Sequence, residues 1–274
     1  MRLLLPLLAL LSLSLAALPV VPPARDVRSE LVIGGHRAYQ GSFPYYAYLH
    51  FCGGSLITPT HILTAAHCVS DFWIGEVMHM GVDDQWDLKK KGVQNRTVID
   101  VITHGVYNDT TKQNDIAILE VDKAYDITPY AQLAKIKADD SELLKEYWTT
   151  GVGFGMTNVT RNDDGTLSGV WPQYLQYAYI PLISEDKCAQ VWGRYLNEKH
   201  QQLCVGGENL GLGSGDSGGP VSVTKDGEVY QIGIASFNGL NRHFNQDKVP
   251  AVLTRASSYC DWMTEKTNGA FHCV

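Results

Sequence analysis

Gly213-Ser-Gly-Asp-Ser-Gly-Gly-Pro220 is the most informative stretch of this 274-residue chain. Glycine stands on both sides of Asp216-Ser217. Glycine reaches backbone angles closed to other residues and lets a second chain come close. Such a turn can aim the backbone N–H groups of Gly215 and Ser217 at one point beside the Ser217 hydroxyl. An acyl-transfer nucleophile needs that arrangement: a hydroxyl, and two donors where negative charge develops on the attacked oxygen. Read alone, the stretch also fits a glycine-rich surface turn, a common use of Gly, Ser and Asp.

A serine hydroxyl is inert without a base. His67 ends the apolar stretch Leu63-Thr-Ala-Ala-His-Cys68, where Ala65 and Ala66 leave space around it. An imidazole takes and returns a proton near neutral pH. Asp115 opens Asp-Ile-Ala-Ile-Leu-Glu-Val121, a charge at the head of an apolar strand. A carboxylate there can fix the histidine tautomer and stabilise its protonated form. Spacing alone does not choose Asp115 over Asp100 or Asp122.

Around these residues the chain reads as all-β. Short apolar or alternating runs at Phe43–Phe51, His61–Thr64, Thr97–Ile102, Asp115–Val121, Gln176–Ile180, Val229–Ser236 and Ala251–Thr254 are rich in β-branched and aromatic residues and punctuated by Gly and Pro. Two helices are expected. Ser184–Val191 begins with a capping residue and acids. Ser257–Thr267 places Tyr259, Trp262 and Met263 on one face.

Thr64-Ala-Ala-His-Cys68, Asn114-Asp-Ile-Ala-Ile-Leu119 and Gly215-Asp-Ser-Gly-Gly-Pro220, in that order, resemble the trypsin/chymotrypsin family of serine endopeptidases. Phe51-Cys-Gly-Gly-Ser-Leu56 and Val32-Ile-Gly-Gly35 carry the same resemblance, which covers residues 32–263. It implies two packed six-stranded antiparallel β-barrels with a short intermediate helix and a C-terminal helix. The first barrel would occupy about 32–140, the second about 141–255, and the helix and tail 256–274. It implies Ser217 as nucleophile, His67 as general base then acid, Asp115 as orienting carboxylate, and the Gly215 and Ser217 amides as the oxyanion hole. No cofactor or metal is implied. The expected partners are protein or peptide substrates, an activating protease and protein protease inhibitors. Two other readings stand beside this one. One is a catalytically silent relative acting as a decoy or scaffold; the other is a β-rich lectin or adhesion domain.

The same resemblance implies activation by a cut that frees the Val32 amine to pair with Asp216. Leu31 stands where Arg or Lys usually precedes the cut, and the nearest basic residue is Arg28. The expectation is therefore an activator that accepts Leu31, or trimming after a first cut. Among the cysteines, Cys52–Cys68 and Cys188–Cys204 match family bridges, which leaves Cys260 with Cys273 near the C-terminus. Gly213 and the absence of Cys from 237–249 remove the usual bridge across the specificity pocket. By the same alignment Gly211 lies at the pocket base with Leu212 beside it, and Ser236, Asn238 and Ala251 form the walls. Gly211 offers no charge, and a basic side chain buried without a partner is costly. The expected preference is for small or medium apolar residues on the acyl side of the scissile bond.

Composition agrees with an exported globular chain. It is 45% hydrophobic and 19% charged, with 22 Lys+Arg against 29 Asp+Glu and a net charge of −7. That excludes a disordered or collagen-like chain and argues against a nucleic-acid binder. Six Cys suit a secreted domain with three bridges; metal ligation is disfavoured because no close Cys-x₂-Cys pair occurs. Met1-Arg2 precedes the apolar run Leu3–Leu18, and Ser14 and Ala16 suit a cut after Ala16. Residues 1–16 thus read as a secretory signal and 17–31 as a propeptide. The run is short for a membrane anchor, which needs about 20 residues. Asn95, Asn108 and Asn158 begin sequons and are candidate glycan acceptors.

Overall fold

The computed structural model describes residues 33–69, 73–162, 167–197, 201–239 and 245–274. The expected leader 1–16, the expected propeptide 17–31 and Val32 lie outside the described residues. Strand β1 (His36–Arg37) is followed by six strands that close a barrel: β2 (Tyr46–Leu49), β3 (Cys52–Thr58), β4 (His61–Thr64), β5 (Val77–Met80), β6 (Gln94–Thr103) and β7 (Ala117–Val121). Their order is β2-β3-β4-β7-β6-β5, all antiparallel, and the pairings Ala47 with Met80 and Tyr48 with His79 shut the ring. Closure leaves no free sheet edge. Leu49, Leu56, Ile62, Leu63, Met78, Met80, Ile118 and Leu119 are fully buried inside or against it.

A second ring follows: β8 (Trp148–Gly153), the hairpin β9 (Thr157–Arg161) and β10 (Leu167–Val170), then β11 (Gln176–Ile183), α1 (Glu185–Trp192), β12 (Gln202–Val205), β13 (Pro220–Lys225), β14 (Glu228–Phe237) and β15 (Ala251–Arg255). The order β8-β11-β12-β15-β14-β13 closes through Val221 with Gly151 and Ser222 with Thr150, while β1 adds to β11 outside the ring. Ala178, Ile180, Val205, Leu212, Val221, Ala235, Ala251 and Leu253 form its core. The chain ends in α2 (Cys260–Lys266) and a tail.

The expected segments are present with shifted ends, for physical reasons. The run Phe43–Phe51 is one strand only over Tyr46–Leu49, because His50 takes a left-handed turn at φ 59° into β3. Asp115 and Ile116 precede β7 rather than open it. The C-terminal helix begins as a 3-10 turn at Ala256–Tyr259, and α-helical bonding starts only at Cys260.

Three disulfides, Cys52–Cys68, Cys188–Cys204 and Cys260–Cys273, span Cα–Cα distances of 6.2, 5.8 and 5.8 Å. The third holds the tail to α2. The tail buries Phe271 in the first core and pairs with the segment between the barrels: Val274 N–H donates to Ile136 O at 2.9 Å and Ala138 N–H to Val274 O at 3.0 Å.

The barrels meet through aromatic packing and a close approach of glycine backbones. Tyr46 meets Phe154 at a tilt and Tyr48 meets it edge-on, at 6.1 and 5.1 Å between centroids. Gly53 on β3 faces Gly219 so tightly that a Cβ on Gly53 would stand 2.8 Å from the Gly219 Cα. Gly53 N–H donates to Ser217 O at 2.8 Å across that contact. Gly53, Gly218 and Gly219 therefore let the two halves of the cleft come this close.

Candidate active site

His67 lies in a one-turn 3-10 segment, Ala66–Cys68, just past β4. Its neighbour Cys68 is bridged to Cys52 at the start of β3, which fixes the turn against the barrel. Asp115 follows Asn114, whose φ of 56° turns the chain into β7. The Asp115 side chain is completely buried. Its Oδ1 accepts the His67 backbone N–H at 2.8 Å, and its Oδ2 accepts His67 Nδ1–H at 2.7 Å. Ser236 Oγ donates to Oδ2 at 2.5 Å, and Thr254 Oγ1 donates to the Asp115 carbonyl at 2.8 Å. A buried carboxylate is tolerable when its lone pairs are filled in this way. A carboxylate only accepts, so Nδ1 carries the proton and Nε2 keeps its lone pair.

His67 and Ser217 both line a cleft of about 450 Å³ between the barrels. Among the described residues no hydrogen bond joins Ser217 Oγ to His67 Nε2. That nitrogen is 3.8 Å from Cys68 Sγ, a disulfide sulfur. Cys52, His67 and Cys68 cluster closely enough to suggest metal ligands, but the bridge consumes both thiols.

The turn bearing Ser217 is arranged by its carbonyls. Ser214 O accepts Met156 N–H at 2.7 Å, and Asp216 O accepts Gly219 N–H at 3.0 Å. In a trans peptide the N–H points opposite to the carbonyl. The Gly215 and Ser217 N–H groups thus turn away from those partners, and neither has an acceptor among the described residues. Gly215 sits at φ +99°, and a Cβ there would press on the Trp171 ring at 2.6 Å, so only glycine suits the position.

Asp216 points inward and is 1% exposed. Gly155 N–H donates to its Oδ1 at 2.8 Å and Gly213 N–H to its Oδ2 at 2.7 Å. Burial pushes its carboxyl up to about 6, against the pull of those two donors. Its expected partner, Val32, lies outside the described residues. The next residue, Ile33, is buried and accepts Gly211 N–H at 3.3 Å.

Leu212, Ser236, Asn238 and Ala251 line the cleft. Gly211 does not. It sits behind the cleft floor, against the side chain of Gln246, which is itself 1% exposed. Trp192, Tyr195 and Phe237 form an aromatic wall, with Trp192 edge-on to Phe237 at 5.2 Å. The opposite rim carries Thr110 and Thr111, two and three residues after the sequon asparagine Asn108, which is exposed. Asn95 lies on β6 with its Oδ1 held 2.7 Å from His79 Nδ1, and Asn158 lies in β9. Thr254 and Gln246 are site residues that sequence reading did not single out. Ser236 was expected only as pocket wall, yet its hydroxyl reaches the Asp115 carboxylate.

The Trypsin family model matches residues 32–263. The chain belongs to the trypsin family. It is a serine endopeptidase, and relatives match it over most of its length. This protease is 32% identical to mouse Chymotrypsin-C over 265 residues, covering 90% of the chain and 92% of that protein. Bovine Chymotrypsin-C is 31% identical over 267 residues, with the same coverage of both. A bovine protein called Suppressor of tumorigenicity 14 protein homolog is 30% identical over 254 residues, which are 86% of this protease but 28% of that protein. Among the described residues no helix is long and apolar enough to cross a membrane.

Proposed function

We propose that this protease is an exported endopeptidase, made as a precursor, that cuts peptide bonds after apolar residues through Ser217, His67 and Asp115. The observation that carries the reading is the Asp115–His67 pair, which places the proton on Nδ1 and leaves Nε2 basic at the cleft. Ser217 Oγ attacks the scissile carbonyl while Nε2 takes its proton. The Gly215 and Ser217 N–H groups receive the oxygen as it becomes negative, a contribution of about 3 kcal/mol per donor in comparable sites. The protonated imidazole, held by Asp115, then gives its proton to the leaving amine. Water repeats the sequence on the acyl-enzyme and frees Ser217.

Activation supplies a charged partner for Asp216. A cut before Val32 creates an amine, and pairing it with the buried carboxylate would offset the cost of the charge and steady the 213–217 turn. Leu31, directly before Val32, favours an activator that accepts Leu31, or trimming after a first cut at Arg28. Export rests on the apolar leader and fits the three disulfides, which persist in oxidising compartments. There the sequons at Asn95, Asn108 and Asn158 are candidate glycan acceptors, and protein substrates and protein inhibitors are the expected partners.

The test is labelling with an organophosphate probe after removal of residues 1–31. One serine is labelled, the Ser217→Ala form takes up none, and a peptide library shows cuts after apolar residues. Labelling that persists in Ser217→Ala would refute the mechanism. Strong cleavage after Arg or Lys would refute the specificity alone.

A further inference from the structure

The cleft walls have no covalent tie, since no cysteine stands at 213 or between 237 and 249. Three hydrogen bonds involving two side chains converge instead on the backbone N–H and C=O of one residue, Leu212. Leu212 N–H donates to Gln246 Oε1 at 3.1 Å, Gln246 Nε2 donates to Leu212 O at 2.7 Å, and Asn238 Nδ2 donates to the same carbonyl at 3.0 Å. A carboxamide has both the acceptor and the donor that a peptide requires; an ionised glutamate has only acceptors, and leucine has neither. Leu212 lines the cleft one residue before the 213–217 turn, and Asn238 lines it from the end of β14. The clamp therefore joins the floor, one wall and the segment leading into β15.

Glycines make room for it. A Cβ on Gly211 would fall 2.0 Å from Gln246 Oε1 and 2.2 Å from its Cδ, and one on Gly206 would fall 2.3 Å from the Gln246 carbonyl oxygen. The volume that a residue-211 side chain would need is already filled by the buried carboxamide.

We propose that Gln246 is a positioning residue for specificity: it holds the Leu212 floor in place of a covalent bridge and keeps position 211 a glycine. This rests on the reading that the cleft beside Leu212 receives the acyl-side side chain. Gln246 and Gly211 then act as a unit, so their substitutions are strongly non-additive.

The experiment uses activated enzyme with sites titrated by the organophosphate probe, and peptide amides with Gly, Ala, Leu, Phe or Lys on the acyl side. Gln246→Ala is expected to lower kcat/KM for Leu and Phe about tenfold more than for Gly, chiefly through KM, because Gly has no side chain to seat. Gln246→Leu, close in volume, repeats the selective loss should the alanine form fold poorly. Gly211→Ala is expected to lose activity in the native background and to cost little beside Gln246→Ala. Equal losses for Gly, Leu and Phe substrates, or the same cost of Gly211→Ala in both backgrounds, would overturn the proposal. A native preference for Lys would instead overturn the apolar-pocket reading, and the Gly211–Gln246 cycle would still test the clamp.

Discussion

Asp115 gathers three donors on its carboxylate and a fourth on its carbonyl, two of them from the other barrel. Ser236→Ala removes a hydrogen bond to a charged group, worth about 1.5–3 kcal/mol. It is expected to lower kcat by about 10- to 100-fold, measured per titrated site, whereas an unchanged kcat would show that His67 alone holds the carboxylate. Asp216 supplies a pH dependence. Its carboxyl is raised to about 6 by burial, so the fold binds that proton more tightly than the unfolded chain does. The associated stability is present below about pH 4, is lost as pH rises through 6, and amounts to about 3 kcal/mol. Urea unfolding of the Ser217→Ala precursor is expected to show this loss between pH 4 and 7, and Asp216→Asn to flatten it. The same slope in both forms would assign it to other groups.

Among the elements, the C-terminal tail most exceeds what a surface extension would do. Phe271 is buried in the first core, and Val274 bonds to the segment between the barrels. Replacing Cys260 and Cys273 by Ser opens a short loop and is expected to cost about 3 kcal/mol in urea unfolding, with kcat nearly unchanged because no tail residue lines the cleft. A parallel loss of kcat would show that the tail also governs the gap between barrels. Periodicity and turn residues made β4, β7, β14 and β15 readable, since each repeats apolar residues between breakers. The regions 77–80 and 202–205 carry too little alternation to stand out as strands, and they form because neighbouring strands pair with them. The motifs around His67, Asp115 and Ser217 were singled out through the family resemblance, since residue type and spacing alone left Asp115 level with Asp100 and Asp122. Gln246 was not. It lies in an irregular loop, and its role comes from two glycines distant in sequence that make space for it.

For the whole molecule, each barrel brings part of the proposed machinery: His67 and Asp115 from the first, Ser217 and Ser236 from the second. Their separation depends on the Gly53–Gly219 contact. Gly53→Ala is expected to reduce kcat more than a hundredfold, as a shift of about 1 Å can. Disulfide formation and circular dichroism should stay native; retained turnover would show that the interface yields at no catalytic expense. Because Ser217 O is itself bonded to Gly53 N–H across the seam, turnover is a gauge of how closely the lobes are seated. Hydrostatic pressure, a cosolvent or an antibody wedge that parts them by a fraction of an ångström is expected to silence the enzyme while both lobes remain intact, and release of the perturbant to restore it at once.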